Sequence, residues 1–237
     1  METTNRPTLY RAITCNFCHR SEIAFAVKGV DIDTFDIDLI DRPDWYMTKA
    51  STGSVPLLEW ADLAIHPSNV INEWIDERWP DPPLFPADTT ERAEARMWIE
   101  WWNDGPCPAY ERRLMNVRPE RDGPLTDALV DQLTEMEQRL GAWGYVDGYW
   151  GGDSLGIVDA TAAPMFVRFV GLRHFHGFDV PEHLSRVRAW RDTLVADPIV
   201  VATSPDEARL LSAYEDYLKV LGRAAAAGID VPVAKGD

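Results

Sequence analysis

Thr8-Leu9-Tyr10-Arg11-Ala12-Ile13-Thr14-Cys15-Asn16-Phe17-Cys18 is the stretch on which the reading of the fold turns. Thr8 to Ala12 reads as a short strand. A helical pattern follows from about Phe17, with Ile23, Ala24, Ala26 and Val27 as its apolar positions and Gly29 as its stop. Cys15 therefore falls where a strand hands over to a helix. There a thiol meets unpaired backbone N–H groups and the positive end of the helix dipole, and both favour thiolate. Cys18 lies one turn further in, within geometric reach for a disulfide and less exposed. A Cys-x-x-Cys that opens a helix after a strand is a redox signal, and the alternative is two buried thiols that fill space. No second ligand pair with metal spacing accompanies it, so no metal is expected. Cys107, in Pro106-Cys107-Pro108, reads as structural.

Working outward, Thr34 to Asp38 alternates like a second strand, and Arg42 to Ala50 is a short helix with Pro43 in its first turn. Val55 to Trp60 and Leu63 to Ile65 are spaced as a hairpin, and Pro67 to Trp79 restores helical spacing. The order strand, helix, strand, helix, strand, strand, helix predicts a small α/β sandwich with a mixed sheet. Four prolines between positions 79 and 86 then break the chain. Beyond them the sequence is almost wholly helical. One helix is capped by Thr89 or Thr90 and runs towards about Arg113. Others span Pro124 to Leu140, open near Gly156, and cover Glu182 to Val195 and Pro205 to Leu221. The tail from Ala224 is Ala-rich and then irregular. The expected organisation is an N-terminal domain over 1–80, a linker over 81–89 and an all-helical domain over 90–237.

The chain has 237 residues and a net charge of -16, from 39 acidic against 23 basic side chains. That balance repels phosphate backbones and anionic lipid surfaces, so neither nucleic acid nor membrane is an expected partner. No apolar run approaches the roughly 18–20 residues of a membrane span. The first residues lack a basic-then-apolar leader pattern, and three cysteines cannot make a disulfide framework. A cytoplasmic location is expected.

Two further motifs join the thiol. In Gly53-Ser54-Val55-Pro56-Leu57, an X-Pro bond entering a strand suits a cis turn that presents Val55's backbone to an extended peptide. In Ile65-His66-Pro67-Ser68-Asn69, Ser68 at a helix start can hold a carboxylate, or can be a plain N-cap. A reactive thiol, a peptide-pairing turn and a carboxylate-binding serine describe a site for a short, acidic, thiol-bearing peptide, which is the chemical description of glutathione. On these motifs the chain resembles the glutathione transferase superfamily over nearly its whole length. Glu73 to Pro80, Phe85-Pro86-Ala87-Asp88 and Gly156-Ile157-Val158-Asp159-Ala160 support the likeness. A cysteine in the first motif position and Arg42-Pro43-Asp44-Trp45 place it nearest the omega-like members. The stretches 56–58, 164–168, 180–191 and 214–217 are similar to the bacterial omega-like glutathione lyases of lignin β-aryl-ether breakdown.

The resemblance implies an α+β fold, a thioredoxin-like domain followed by an all-α domain, with glutathione as co-substrate and a homodimer as the assembly. It implies Cys15 as the catalytic thiol, Cys18 as a possible redox partner, and Phe17, Arg42, Val55, Pro56 and Ser68 around glutathione. It implies a small, hydrophobic, aromatic second substrate near Trp102, Tyr110, Phe166, Tyr214 and Tyr217. An aromatic stripe at the spacing of Trp98, Trp101 and Trp102 is by default core. His19, beside Cys18, is a candidate for tuning the thiol electrostatically.

The expected function is a glutathione-dependent thiol transferase or lyase that removes glutathione from a thioether or mixed disulfide through a cysteine–glutathione disulfide. The alternatives are conjugation of glutathione to an aromatic electrophile and a non-catalytic binding protein on the same fold. Four positions depart from the family pattern. Asn16 stands where proline is usual, Cys18 where a small non-thiol residue is common, Pro67 where an acid is usual and Gly156 where a serine or threonine caps.

Overall fold

The computed structural model describes residues 6–50 and 52–229. In the first 78 residues β1 (Thr8–Arg11), α1 (Asn16–Val27), β2 (Asp33–Asp36), α2 (Asp44–Lys49), β3 (Leu57–Trp60), β4 (Leu63–Ile65) and α3 (Ser68–Arg78) follow one another in the expected order. The strands form one mixed sheet, β2-β1-β3-β4, with β1 and β2 parallel and the other pairs antiparallel. Side chains alternate across it as the pleat requires. Leu9 and Leu58, paired in register, face the core shared with α1 and α3. Tyr10 and Leu57, the next pair, face α2 and enclose Tyr46.

The helical half comprises α4 (Thr89–Asp104), α5 (Pro106–Leu114), α6 (Asp122–Trp143), α7 (Ile157–His176), α8 (Ser185–Ala196), α9 (Pro198–Thr203) and α10 (Glu207–Ala226). Three expectations are corrected. Asp88, rather than Thr89 or Thr90, caps α4, its carboxylate accepting from the N–H groups of Thr90 and Glu91. The helix expected to reach Arg113 breaks at Gly105, and Pro106 opens the next helix at its first position. Finally α9, absent from the sequence reading, forms because Asp197 caps it and Pro198 occupies its first position. The irregular tail beyond Ile229 lies outside the described residues.

The linker is pinned to both halves. Asp76, at the end of α3, accepts from the N–H groups of Leu84 and Phe85 and pairs with the fully buried ammonium of Lys28. The Leu84 carbonyl in turn accepts from Ile157 N at 2.9 Å. α7, buried on nearly every side, packs against α1 across the two halves, so the helical domain's central rod abuts the helix that Cys15 opens. Its start is held by buried Asp159, which accepts from Gly156 N, Trp150 N and Trp190 Nε1. Gly156 itself offers no side-chain cap, so Asp159 closes this helix end alone.

Candidate active site

Cys15 is the N-cap of α1, with extended backbone, and its sulfur accepts the N–H of Cys18 at 3.2 Å. As a thiol it points at the Val55 carbonyl, 3.7 Å away. It is half-buried, whereas Cys18 is fully enclosed. Burial pushes the Cys15 thiol up, but hydrogen bonds from the Cys18 side chain and N–H and the positive charge of Arg168 outweigh it, and the net direction is down. Cys18 moves the other way, well above the usual thiol range, through burial and the neighbouring Cys15 sulfur. One thiol of the pair is thus prepared as a nucleophile and the other is kept protonated.

Arg168 was not singled out in the sequence, and it organises the site. It lies on α7, 2% exposed. Its Nε donates to Thr14 O at 3.2 Å, and Nη2 donates to Ile13 O and Cys15 O, each at 3.0 Å. Its Nη1 donates to Pro164 O and faces His19 Nδ1 at 3.0 Å. One guanidinium therefore ties down the strand-to-helix loop through three carbonyls. Its signals in the sequence are a charge in the apolar middle of a helix and its place at the end of the stretch 164–168 on which the family likeness rests.

The same contact corrects the expectation for His19. With Nδ1 accepting from Arg168, Nε2 donates to Thr203 Oγ1 at 3.0 Å, so the network assigns a neutral Nε2–H tautomer. Burial first, then Arg168 and Arg11, hold its pKa well below the usual histidine range. No imidazolium is present to assist the thiol.

Of the glutathione candidates, Val55 faces the Cys15 sulfur. Val55 and Pro56 enter β3 through a cis peptide bond, with Val55 O beside the thiol. Exposed Arg42 is brought to this loop by its Nε, which donates to Gly53 O at 3.0 Å. The antiparallel β3–β4 hairpin returns the chain through Ile65, opposite Leu58, to Ser68, the first residue of α3. Ser68 is buried, and its hydroxyl has no partner among the described residues. It is not the N-cap: Pro67 holds that position and offers no side-chain acceptor. Phe17 is buried under the Arg20 guanidinium, 4.4 Å from its ring.

The aromatic candidates divide. Trp102 and Phe166, each 1% exposed, pack edge-on with each other and with Trp190 in the helical core. Trp98 joins them, as the default reading of the stripe expects. Tyr110 and Tyr214 reach the catalytic loop instead. The Tyr214 hydroxyl donates to Thr14 O at 3.3 Å, and the Tyr110 hydroxyl donates to Arg168 O at 3.1 Å. Burial keeps both phenols protonated, Tyr214 being pushed up to about 12. Tyr217, half-buried on α10, lies three residues beyond Tyr214. Among the described residues no group of three metal-ligating side chains occurs, and no helix is long and apolar enough to cross a membrane.

Comparison with known proteins finds relatives over both halves of the chain. Residues 14–78 match the family model of the glutathione S-transferase N-terminal domain, and residues 71–193 match that of the C-terminal domain. Mouse glutathione S-transferase omega-2 is 30% identical over 213 residues, covering 89% of this chain and 84% of the relative. Among solved structures, glutathione transferase Omega 3C from Trametes versicolor superposes with a TM-score of 0.75 at 21% identity, covering 94% of each chain. Rice GST1, solved in complex with glutathione, superposes with a TM-score of 0.77 at 24% identity, covering 92% of this chain and 97% of its own.

Proposed function

Because the chain belongs to the omega-like glutathione transferases, a family that uses glutathione as co-substrate, we propose that it is a thiol transferase of lyase type. The observation that carries the reading is the placement of the two thiols, Cys15 half-exposed as the N-cap of α1 with its sulfur accepting the Cys18 N–H at 3.2 Å, and Cys18 fully enclosed. In the proposed reaction Cys15 thiolate attacks the sulfur of a glutathione thioether whose carbon neighbours an aryl ketone. The S–S bond forms as the C–S bond breaks, and the electron pair leaves on carbon as an enolate that is then protonated. A second glutathione, as thiolate, attacks the mixed disulfide, releasing oxidised glutathione and Cys15 thiolate. In sum, the thioether and one glutathione give the reduced ketone and the glutathione disulfide.

Glutathione is proposed to lie along Val55 and Pro56, with Arg42 and the Ser68 hydroxyl at its charged ends and Phe17 beneath. The aryl group is proposed to lie towards α10, near Tyr217, with the Tyr214 hydroxyl exchanging Thr14 O for the ketone oxygen. Ser68→Ala is expected to raise KM for glutathione about tenfold with kcat little changed, the loss of one hydrogen bond to a carboxylate. An unchanged KM would remove Ser68 from the site. The reading includes a homodimer in the cytoplasm. Sedimentation as a monomer, or recovery with the cell envelope, would overturn those parts.

The test of the reaction is an aryl ketone carrying glutathionyl on the carbon next to the carbonyl, given with free glutathione and followed by release of oxidised glutathione. Release at a rate proportional to enzyme supports the lyase reading. No release from a protein that still binds glutathione would turn the assignment to conjugation, and failure to bind glutathione would leave a non-catalytic member of the family.

A further inference from the structure

Cys18 has no part in the proposed lyase reaction, yet it is the thiol best placed to act on Cys15. Its backbone N–H donates to the Cys15 sulfur at 3.2 Å, so its Cα, one bond of about 1.5 Å further on, lies within about 4.7 Å of that sulfur. The Cα–Cβ–Sγ arm of Cys18 is long enough to close on it, joining the N-cap of α1 to the third residue of the same helix. The third cysteine is engaged elsewhere: Cys107, on α5, accepts from Asn16 Nδ2 at 3.2 Å.

Access to the two sulfurs is unequal. Cys15 is half-buried, while Cys18 is 0% exposed, so a substrate sulfur meets Cys15 alone. The Val55 carbonyl lies 3.7 Å from that thiol, beside the cis Val55–Pro56 bond, and offers backbone pairing to an extended peptide. A peptide joined to Cys15 through sulfur would fill the approach that a second thiol from solvent must use. Cys18 is already inside, and its attack is intramolecular. In the reduced protein the neighbouring Cys15 sulfur is one cause that keeps Cys18 protonated, and that charge is gone once Cys15 is in a disulfide.

We infer that Cys15 and Cys18 form a dithiol centre that gives the protein a second activity, the glutathione-driven reduction of peptide disulfides. Cys15 thiolate attacks one sulfur of the substrate disulfide, and the other sulfur departs as a thiolate. The Cys18 sulfur then bonds to the Cys15 sulfur, the bond from Cys15 to the peptide breaks, and the Cys18 proton leaves on the second peptide thiol. The substrate has gained two electrons and the pair has become an intramolecular disulfide. Glutathione thiolate attacks that bridge at Cys15, its accessible sulfur, and Cys18 takes up a proton. A second glutathione thiolate releases oxidised glutathione and restores Cys15 thiolate. In sum, one peptide disulfide and two glutathiones give two peptide thiols and oxidised glutathione. The inference takes glutathione as reductant from the family and does not rest on the lyase reading, in which the adduct is small enough for a second glutathione to resolve directly.

The test begins with wild type and oxidised glutathione, followed by denaturation, alkylation with iodoacetamide and mass spectrometry. Of the three cysteines, Cys107 alone should be alkylated, with Cys15 bridged to Cys18 and no glutathione bound. Cys18→Ser and Cys18→Ala, one polar and one apolar replacement at this enclosed position, should instead carry glutathione on Cys15. With glutathione and a disulfide-linked peptide pair as substrate, both variants should release peptide thiol more slowly by about tenfold or more, because an intramolecular step gives way to entry of a second glutathione. A stable glutathione adduct on Cys15 in wild type, a bridge to Cys107, or variant rates equal to wild type would each overturn the inference. Failure to release oxidised glutathione from the ketone conjugate ends the lyase reading and leaves these outcomes untouched, since no thioether takes part in them.

Discussion

Cys15→Ser is expected to reduce the release of oxidised glutathione from a glutathionyl ketone by about 10³-fold or more, the scale seen when a nucleophile is removed from a covalent mechanism. The reason lies in both half-reactions. A serine hydroxyl is not ionised at a helix start where a thiol is, and an oxygen attacking the glutathione sulfur would not yield the stable disulfide that the second glutathione resolves. The substitution changes one atom at a half-buried position whose neighbours are the Val55 carbonyl and the Cys18 N–H. A hydroxyl can satisfy both, so the fold and the affinity for glutathione should stay within a few-fold of wild type. Titration calorimetry with glutathione beside the release assay separates lost chemistry from lost binding. Full activity in the serine variant would end the cysteine mechanism. Cys18→Ser is the informative companion: it retains both the backbone N–H and a side-chain donor to the Cys15 sulfur, so this activity should stay within a few-fold of wild type.

The parts of this molecule that were legible in the sequence are local ones. The β1–Cys15–α1 handover, the hairpin and the proline-rich break each depend on residues within a few positions of one another, and periodicity and turn chemistry report them. Two local features still escaped. The break at Gly105 carries its own local signal, Gly105 followed by Pro106 at the first position of α5, which the reading of residues 89–113 as one pattern passed over. The six-residue α9 is too short for periodicity to register, although Asp197-Pro198 carried its start signal. What could not be read at all is the long-range chemistry. Arg168 acts on carbonyls 153 to 155 positions earlier, and Asn16 meets Cys107 at a separation of 91. His19 reads as an electrostatic aid from its neighbour Cys18, but Arg168 and Thr203, both distant in sequence, occupy its two nitrogens. Pairings of this kind are decided by which helix of one domain lands on which helix of the other.

Arg168→Met tests that cross-domain tie most severely, and it should act on stability and reactivity together. Methionine fills much of the arginine's volume, so the change is chiefly the loss of a charge and its donors. Four carbonyl oxygens, those of Ile13, Thr14, Cys15 and Pro164, lose a donor in a site that is 2% exposed, and His19 Nδ1 loses its partner. Thr14 O keeps the Tyr214 hydroxyl and Pro164 O its place in the α7 ladder, so Ile13 O, Cys15 O and His19 Nδ1 lose most. At roughly 1–3 kcal/mol for each unsatisfied buried group, partly relieved by entering water, the expected loss is about 3–4 kcal/mol. That is a large share of the roughly 5–15 kcal/mol by which such chains are stable, and a urea unfolding series will show it as a lower midpoint at unchanged slope. The Cys15 thiol should titrate higher, because a positive charge that favours its ionised form has gone. Arg168→Lys separates the two effects. An ammonium restores the positive charge but cannot fork across three carbonyls of the loop, so the thiol should move back towards the wild-type range while most of the stability stays lost. If lysine restored stability as fully as reactivity, a point charge would suffice and the fork geometry would not be what holds the catalytic loop to α7.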